Sequence, residues 1–168
     1  ISAMALGLGG NAITMSVVTI KALESFGIVD GSTAVERGEA MAKLVALRHS
    51  QHKERLRLAV VHPFSAHNFE LRYFLRASGI NPDNDVEIVI VPPPLMPDAL
   101  AAGRVDGFCV GEPWNSVAVH NGDGKVLTTK SAIWRSSPEK VLGVSTAFAN
   151  AHEETLHKVI RALVKSSN

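Results

Sequence analysis

The segment 62–68 (HPFSAHN) contains the residues best suited to binding a small anion. It lies where a predicted strand turns into a predicted helix, so Ser65, His67 and the first backbone N–H groups of that helix converge on one small volume. A helix N-terminus carries about half a positive charge and up to four unpaired donors. His67 adds a donor that can also become cationic. The same two residues also fit a purely structural role, Ser65 as a helix cap and His67 as a first-turn surface residue.

A second turn of the same kind is the segment 111–114 (GEPW). Pro113 suits the first position of a helix, where its missing N–H costs nothing, and Gly111 permits close approach of a ligand to the backbone. Trp114 can form the wall of a pocket, although a single Trp near a helix start is more typical of core. Glu112 opposes an anion unless its carboxylate points away or is neutralised by a Lys or an Arg.

Two further residues complete the set of candidates. Asn11, which follows a pair of glycines, offers a carboxamide with two N–H donors and an acceptor beside another predicted helix start. Lys140, just before a predicted strand, is a mobile point charge that can balance an anion. Each also fits an ordinary surface role, as a loop Asn and a solvated Lys.

Metal sites and catalytic motifs are not indicated by the sequence. None of the seven histidines falls in a His-Glu-x-x-His spacing, and the single cysteine, Cys109, supplies no cluster. Cys109 lies inside a short apolar segment, which is typical of inert core. The sequence contains no Gly-x-Ser-x-Gly elbow, no Walker loop and no dinucleotide-binding glycine motif. We therefore predict no cofactor, no metal and no enzymatic activity.

The charge distribution argues against nucleic acid and membrane surfaces as partners. The formal net charge is +1, which produces no broad attractive field. The one basic cluster, residues 48–57, contains no interleaved aromatic residues. It ends a predicted helix, where cations suit the helix dipole and solvent. No apolar run approaches the roughly 18 residues that a transmembrane helix needs.

Strand and helix signals alternate along the chain. Predicted strands near residues 57, 86 and 105 are each followed by a helix, which is typical of a parallel-leaning α/β sheet. Ser65 is the N-cap of one helix, with Phe64 and Phe69 at the spacing of a hydrophobic staple. We expect strands at 1–8, 56–61, 86–91, 105–110, 125–127 and 141–144, helices at 13–26, 34–52, 65–79, 97–102 and from 113, and a final helix whose apolar face is Leu156, Val159, Ile160, Leu163 and Val164.

The expected architecture directs attention to one edge of the sheet. In parallel α/β sheets, ligands bind at the carboxyl ends of the strands, where helix N-termini gather. The segments 62–68, 92–97 and 110–115 fall at that edge. The chain starts at Ile1 without a basic leading segment, so we expect both ends to be cut from a longer protein. Localisation is then not readable from the termini.

Several segments resemble the nitrate- and bicarbonate-binding proteins of cyanobacterial-type ABC importers. The segment 62–75 (HPFSAHNFELRYFL), residues 91–94 (VPPP) and above all 106–115 (DGFCVGEPWN) carry the resemblance. Residues 10–14 (GNAIT) are similar to the family's Asn-Gly-Gln-Ala-Ile-Thr segment. The similarity runs in the same order over most of positions 5–165.

The resemblance implies a type II periplasmic-binding-protein-like fold, with a three-layer αβα sheet that has helices on both faces. Proteins of this family have two lobes that close on a planar oxyanion by a hinge motion. The resemblance also implies roles for individual residues. His67 and a group around Gly111 would hold the ligand, Lys140 would contribute charge, and Asn11 stands where the family has a longer Gln.

The family's N-terminal lobe, which supplies an aromatic wall to the pocket, is mostly absent from this chain. We therefore expect residues 1–145 to be mainly the second lobe with crossover segments. Residues 146–168 would be a crossover and a C-terminal helix that returns towards the first lobe.

Two functions from different classes follow from the resemblance. The first is capture of a small planar oxyanion, nitrate or nitrite before bicarbonate, on the periplasmic side for an ABC permease and ATPase. The alternative is a cytoplasmic nitrate/nitrite sensor of the same fold, which would control an RNA-binding antitermination partner. An enzyme similar to thiamine-pyrimidine synthesis proteins would need a Cys-rich or His-rich catalytic segment, which the sequence lacks.

Overall fold

The chain consists of two units. The computed structural model describes residues 1–167, in which the larger unit is Gly10–Arg135 and the smaller unit joins Ile1–Gly9 to the segment that begins at Ser136. The assignment of 1–145 to a second lobe and of 146–168 to a crossover stays a prediction, and Asn168 lies outside the described residues. Within residues 1–167, no helix has both the length and the apolar character that crossing a bilayer requires.

Strands and helices alternate through most of the chain, with a short 3-10 helix at Pro93–Leu95. The strands are β1 (Ser2–Leu8), β2 (Asn11–Ser16), β3 (Leu56–Val60), β4 (Val86–Ile90), β5 (Gly107–Gly111), β6 (Gly124–Thr129) and β7 (Pro138–Gly143). The helices are α1 (Val17–Glu24), α2 (Ala34–Ser50), α3 (Ala66–Ala77), α4 (Met96–Ala101), α5 (Trp114–His120), α6 (Lys130–Ile133), α7 (Thr146–Ala151) and α8 (Glu153–Ser166).

The larger unit is built on a five-stranded sheet in the order β4-β3-β5-β2-β6. Strands β4, β3 and β5 are parallel, whereas β2 runs antiparallel to both β5 and β6. The parallel part confirms the expected α/β architecture. Because β2 runs the other way, its first residue, Asn11, lies beside Gly111 at the carboxyl end of β5.

Helices cover both faces of this sheet, since successive strand residues point to opposite sides. On one face, Leu58 of β3 and Cys109 of β5 pack with residues of α1, α2 and α3. On the other face, Ala59 of β3 and Phe108 of β5 pack with residues of α4 and α5. The three-layer arrangement predicted from the resemblance is therefore present.

The predicted helix over 13–26 is wrong in its first part. Residues 11–16 form β2, and α1 begins only at Val17. Residues 12–15 are all buried, because β2 is an inner strand with helices on both faces. Such a strand shows no alternation of apolar and polar residues, so periodicity cannot distinguish it from a buried helix. Asn11 consequently begins a strand, not a helix.

The N-terminus of α2 carries a complete capping box. The Thr33 hydroxyl accepts from the Glu36 backbone N–H at 3.3 Å, and the Glu36 carboxylate accepts from the Thr33 backbone N–H at 2.6 Å. These hydrogen bonds, first that from the Thr33 backbone, lower the pKa of Glu36 below its ordinary value. The predicted start of α2 at Ala34 is confirmed.

The smaller unit pairs β1 with β7 antiparallel and adds α7 and α8. The predicted final helix is confirmed as Glu153–Ser166. None of its residues is buried: Leu156 and Ile160 of the predicted apolar face are half-buried, and Val159 and Val164 are exposed. The amphipathic pattern therefore predicted the helix, while its apolar face stays largely open within the described residues.

Candidate functional site

The carboxyl end of β5 brings together three of the residues singled out from the sequence. Gly111 pairs with Asn11 across β5 and β2. A Cβ atom built on Gly111 would lie 3.3 Å from Asn11 Oδ1 and 3.8 Å from His67 Nε2. Asn11 is only 3% exposed, and His67 is half-buried. The absence of a side chain at Gly111 therefore leaves a small space between an amide and an imidazole.

The position of His67 is set by the N-terminus of α3. The Ser65 hydroxyl accepts from the Asn68 backbone N–H at 3.2 Å and donates to the His62 carbonyl at 2.7 Å. The Asn68 carboxamide donates to the Pro63 carbonyl at 2.6 Å, and this hydrogen bond connects the preceding turn to the helix. Ser65 is thus an N-cap, as predicted, and both functions of its hydroxyl are used in holding the turn. Phe64 and Phe69, the predicted staple, are both exposed.

A buried ion pair lies under the candidate site. The Glu70 carboxylate accepts from Asn11 Nδ2 at 2.8 Å through one oxygen and meets Lys130 Nζ at 2.7 Å through the other. The side chains of Glu70 and Lys130 are 7% and 4% exposed. Glu70 follows His67 by one helical turn on α3, while Lys130 begins α6, which the Thr129 hydroxyl caps.

Glu70 fixes the orientation of the Asn11 carboxamide. An ionised carboxylate has only acceptor groups, so the nitrogen of the amide must face Glu70. The amide oxygen is then the atom turned towards Gly111, in agreement with its 3.3 Å distance from the built Cβ. Glu70 and Lys130 were not predicted from the sequence. The three-residue spacing between His67 and Glu70 was the one available sign for Glu70, and nothing local marks Lys130.

The turn after β5 holds Glu112 away from this space. The Glu112 carboxylate is exposed and accepts from both the backbone N–H (3.1 Å) and the hydroxyl (2.8 Å) of Ser116. Its charge therefore stabilises the first turn of α5, where a carboxylate is favourable. The backbone N–H of Glu112 donates to the Gly10 carbonyl at 3.2 Å, which ties this turn to the start of β2.

Asn115, which the sequence did not single out, anchors the same turn from inside. Its fully buried carboxamide accepts from the Thr14 hydroxyl at 2.8 Å and donates to the Val110 carbonyl at 2.9 Å. Trp114, beside it, is half-buried and packs against the apolar cluster on the α4–α5 face. Its observed packing is that of a core residue.

Lys140, the remaining candidate, belongs to the smaller unit. It lies on β7, its side chain is 69% exposed, and its ammonium group lies 2.5 Å from the Glu139 carboxylate. The cluster inside the larger unit therefore comprises Asn11, His67, Gly111 and the buried ion pair. Among residues 1–167, no group of three or more His, Cys, Asp or Glu side chains is arranged to hold a metal ion.

A family model described as "NMT1-like family" matches residues 1–168. The chain belongs to the NMT1-like family. Two relatives from Synechocystis sp. PCC 6803 match 99% of the chain: the bicarbonate transport ATP-binding protein CmpC at 40% identity and the nitrate import ATP-binding protein NrtC at 36%. The nitrate/nitrite binding protein NrtA of Synechococcus elongatus is 35% identical over 64% of the chain. The chain spans 23% to 24% of the length of these relatives.

Solved structures show the fold of this NMT1-like chain. The periplasmic nitrate-binding protein NrtA from Synechocystis PCC 6803 superposes on 90% of the chain with a TM-score of 0.69, at 22% identity, and the chain covers 35% of that structure. The aliphatic sulphonate binding protein SsuA from Escherichia coli superposes on 94% of the chain with a TM-score of 0.62, at 15% identity, with 44% of its length covered. The periplasmic-binding-protein-like fold that the resemblance implies is thereby confirmed.

Breaking the buried ion pair should destabilise the NMT1-like chain strongly. Lys130→Met leaves the Glu70 charge without its cation in a dry environment, so we expect the free energy of unfolding to fall by about 3–5 kcal/mol. Glu70→Leu/Lys130→Met, which removes both charges, should cost less than the single change. Chemical denaturation measures both values.

The matched control is Lys158→Met, which breaks an exposed pair with Glu154 on α8. We expect a loss of at most about 0.5 kcal/mol from such a surface pair. A loss for Lys130→Met no larger than that of the control would contradict the structural role of the ion pair.

Proposed function

We propose that the chain binds a small oxyanion as part of the solute-binding component of an ABC importer. The observation that carries the proposal is the half-buried His67 imidazole beside Gly111 at the carboxyl end of β5. The Asn11 amide turns its oxygen to the same place, so it can accept a hydrogen bond from a protonated anion such as bicarbonate but cannot donate one. Ligands of α/β sheets bind at such an edge. A Cβ atom at position 111 would already contact Asn11 and His67, so a side chain there would obstruct the approach of an anion to His67.

The pairing of charged side chains near Gly111 is compatible with binding of a singly charged anion. The Glu70 and Lys130 charges are paired with each other, and the Glu112 carboxylate is turned to Ser116. Neither the Glu70 nor the Glu112 carboxylate therefore presents an unpaired negative charge to the space beside Gly111. We propose that His67 donates to the anion. The contribution of charge from Lys140 that the resemblance implies stays a prediction.

Nitrate or nitrite is our leading ligand, with bicarbonate next. The NrtA and NrtC relatives are named for nitrate, and CmpC for bicarbonate. We propose binding without catalysis, because the polar groups near the space are committed to structure: the Ser65 hydroxyl caps α3, and the Cys109 thiol is buried in β5. A permease and an ATPase would be its partners, and the solute would be captured on the periplasmic side. The cytoplasmic sensor with an antitermination partner stays a prediction.

The names of the relatives that match nearly the whole chain favour a second candidate function. The relatives that match 99% of the chain are named as ATP-binding proteins, whereas NrtA of Synechococcus elongatus matches 64%. As the second candidate, the lobe is carried by an ATP-binding subunit, where anion occupancy changes the rate of ATP hydrolysis.

Calorimetric titration of the full-length protein with nitrate, nitrite and bicarbonate at one pH tests the leading proposal. We expect one of the three to bind with a micromolar Kd. His67→Ala and Lys140→Ala should each weaken that binding by about tenfold, because each removes a charge-assisted contact. His120→Ala and Lys158→Ala, at exposed positions outside the site, are the matched controls.

The contrary outcomes are distinct. Unchanged affinity in Lys140→Ala would remove Lys140 from the site, and unchanged affinity in His67→Ala would remove His67. Absence of binding to all three anions, with binding of ethanesulfonate instead, would overturn the inorganic oxyanion as ligand.

Gly111→Ala should abolish anion binding while leaving the fold intact. The added methyl group would lie 3.3 Å from Asn11 Oδ1, which a small shift accommodates, but it would occupy the proposed ligand space. We expect at least about tenfold weaker binding, because the ligand would lose a hydrogen bond to a desolvated group. Gly143→Ala, which meets nothing within 4 Å, is the control. Wild-type affinity in Gly111→Ala, at an unchanged unfolding midpoint, would place the ligand elsewhere.

The second candidate requires a coupled readout. ATP hydrolysis by the full-length protein should change when the anion that binds in calorimetry is added, and Gly111→Ala should remove that response without changing the basal rate. An ATPase rate insensitive to a bound anion, or no ATPase activity at all, would exclude this candidate.

A further inference from the structure

A second cavity lies at the opposite end of the sheet from Gly111. Its volume is about 290 Å³, and its apolar floor includes Val45 of α2, Leu56 of β3 and Ile80 after α3. Strand β3 begins at Leu56, whereas His67 lies beyond the carboxyl end of β3 and Gly111 is the last residue of β5. The cavity is therefore separate from the proposed oxyanion site, although both belong to the larger unit.

The rim of this cavity is basic. Arg48, His49, Lys53 and Arg55 line it, against one carboxylate, that of Asp85. These residues belong to the basic cluster 48–57, which the sequence predicted to be a solvated helix end. The structure places them around a concave surface instead, which is the arrangement that favours a bound anion.

The backbone that ends α2 concentrates these cations. His52 adopts a left-handed conformation with φ of 52°, which reverses the chain after α2. The reversal lets the Lys53 backbone N–H donate to the Arg48 carbonyl at 2.9 Å, so both basic residues lie on one turn. The same hydrogen bond, with that from His52 to the His49 carbonyl (3.0 Å), satisfies carbonyls at the negative end of the helix dipole.

Both guanidinium groups on the rim are held by the backbone. Arg48 Nε donates to the Glu54 carbonyl at 2.9 Å, and Arg55 Nη1 donates to the Asn84 carbonyl at 3.2 Å. One N–H of each group is thereby committed, and each group keeps further N–H donors in a fixed plane. The Asp85 carboxylate accepts from the Asn81 backbone N–H at 2.7 Å, so part of its acceptor capacity is used locally.

We propose that this cavity binds an organic monophosphate with a compact apolar body. The floor of Val45, Leu56 and Ile80 would take the apolar body, and the Arg48 and Arg55 guanidinium groups would take the phosphate. Planar guanidinium groups match phosphate in bidentate geometry, and a dianion uses more of the surplus charge than a carboxylate does. The volume is close to the lower limit of pockets for organic ligands, about 300–1,000 Å³, which restricts the body to a small one.

The test titrates the full chain with phenyl phosphate and, separately, with inorganic phosphate, followed by two-dimensional ¹H–¹⁵N NMR. Phenyl phosphate should shift the backbone amide signals of Arg48, Leu56 and Ile80 in a saturable way, and inorganic phosphate should bind more weakly. Signals at His67 and Gly111 should stay in place, which separates this site from the oxyanion site. Failure of the nitrate titration would leave this result unaffected.

Two variants locate the ligand. Arg48→Gln/Arg55→Gln should weaken the binding of phenyl phosphate by about tenfold, since two charge-assisted contacts are lost. Lys21→Gln/Lys43→Gln removes the same charge from α1 and α2 outside the cavity lining, and should leave affinity nearly unchanged. Ala46→Trp, at an exposed lining position, should block the cavity without disturbing the core.

Four results would overturn the proposal. The first is no saturable shift with phenyl phosphate, and the second is equal weakening in the two double variants, which would indicate a general charge effect. Equal affinity for inorganic phosphate and phenyl phosphate would remove the apolar body from the ligand. If the arginine variant does not fold, undiminished binding in Ala46→Trp would still refute the site.

Discussion

The structure of the larger unit depends on one buried ion pair, between Glu70 of α3 and Lys130 of α6. The ion pair joins a helix that follows β3 to a helix that follows β6, and through Asn11 it reaches the inner strand β2. Burying two charges carries a desolvation cost that their attraction repays only with good geometry and further hydrogen bonds. The Asn11 amide supplies such a hydrogen bond, so the network that holds the layers together also orients a residue of the candidate site.

Capping residues and turn residues in the sequence predicted most of the helices and strands that they bound. The Ser65 cap marked the start of α3. The Thr33 cap of α2 was found only in the structure, although the start of that helix at Ala34 was predicted. Residues 13–16 of the inner strand β2 were predicted as helix, because residues buried on both faces show no period of two. Its antiparallel direction is a property of the whole sheet, which no local pattern records.

The sequence predicted those residues of the candidate site whose positions follow from the order of strands and helices alone. His67 in a first helical turn and Gly111 after an apolar strand both lie at the edge where parallel strands end, so topology brings them together. Glu70 and Lys130 are 60 positions apart, and their pairing exists only after the sheet has formed. Glu112 looked unfavourable from its charge alone, and the Ser116 hydrogen bonds that turn it aside required the structure.

The two ends of the sheet differ in the way they can hold an anion. At Gly111 the space is small and is bordered by the Asn11 amide and the His67 imidazole. The Asn11 amide is held by the Glu70 carboxylate, which is itself paired with Lys130. At Leu56 the cavity has a volume of about 290 Å³ and an apolar floor, and the guanidinium groups of Arg48 and Arg55 on its rim are permanent cations. If the proposed oxyanion site is correct, the first end would discriminate by shape and hydrogen bonds, because desolvated polar groups penalise a poor fit. The second end attracts by charge, which salt screens, so high ionic strength should weaken phosphate binding there more than oxyanion binding at Gly111.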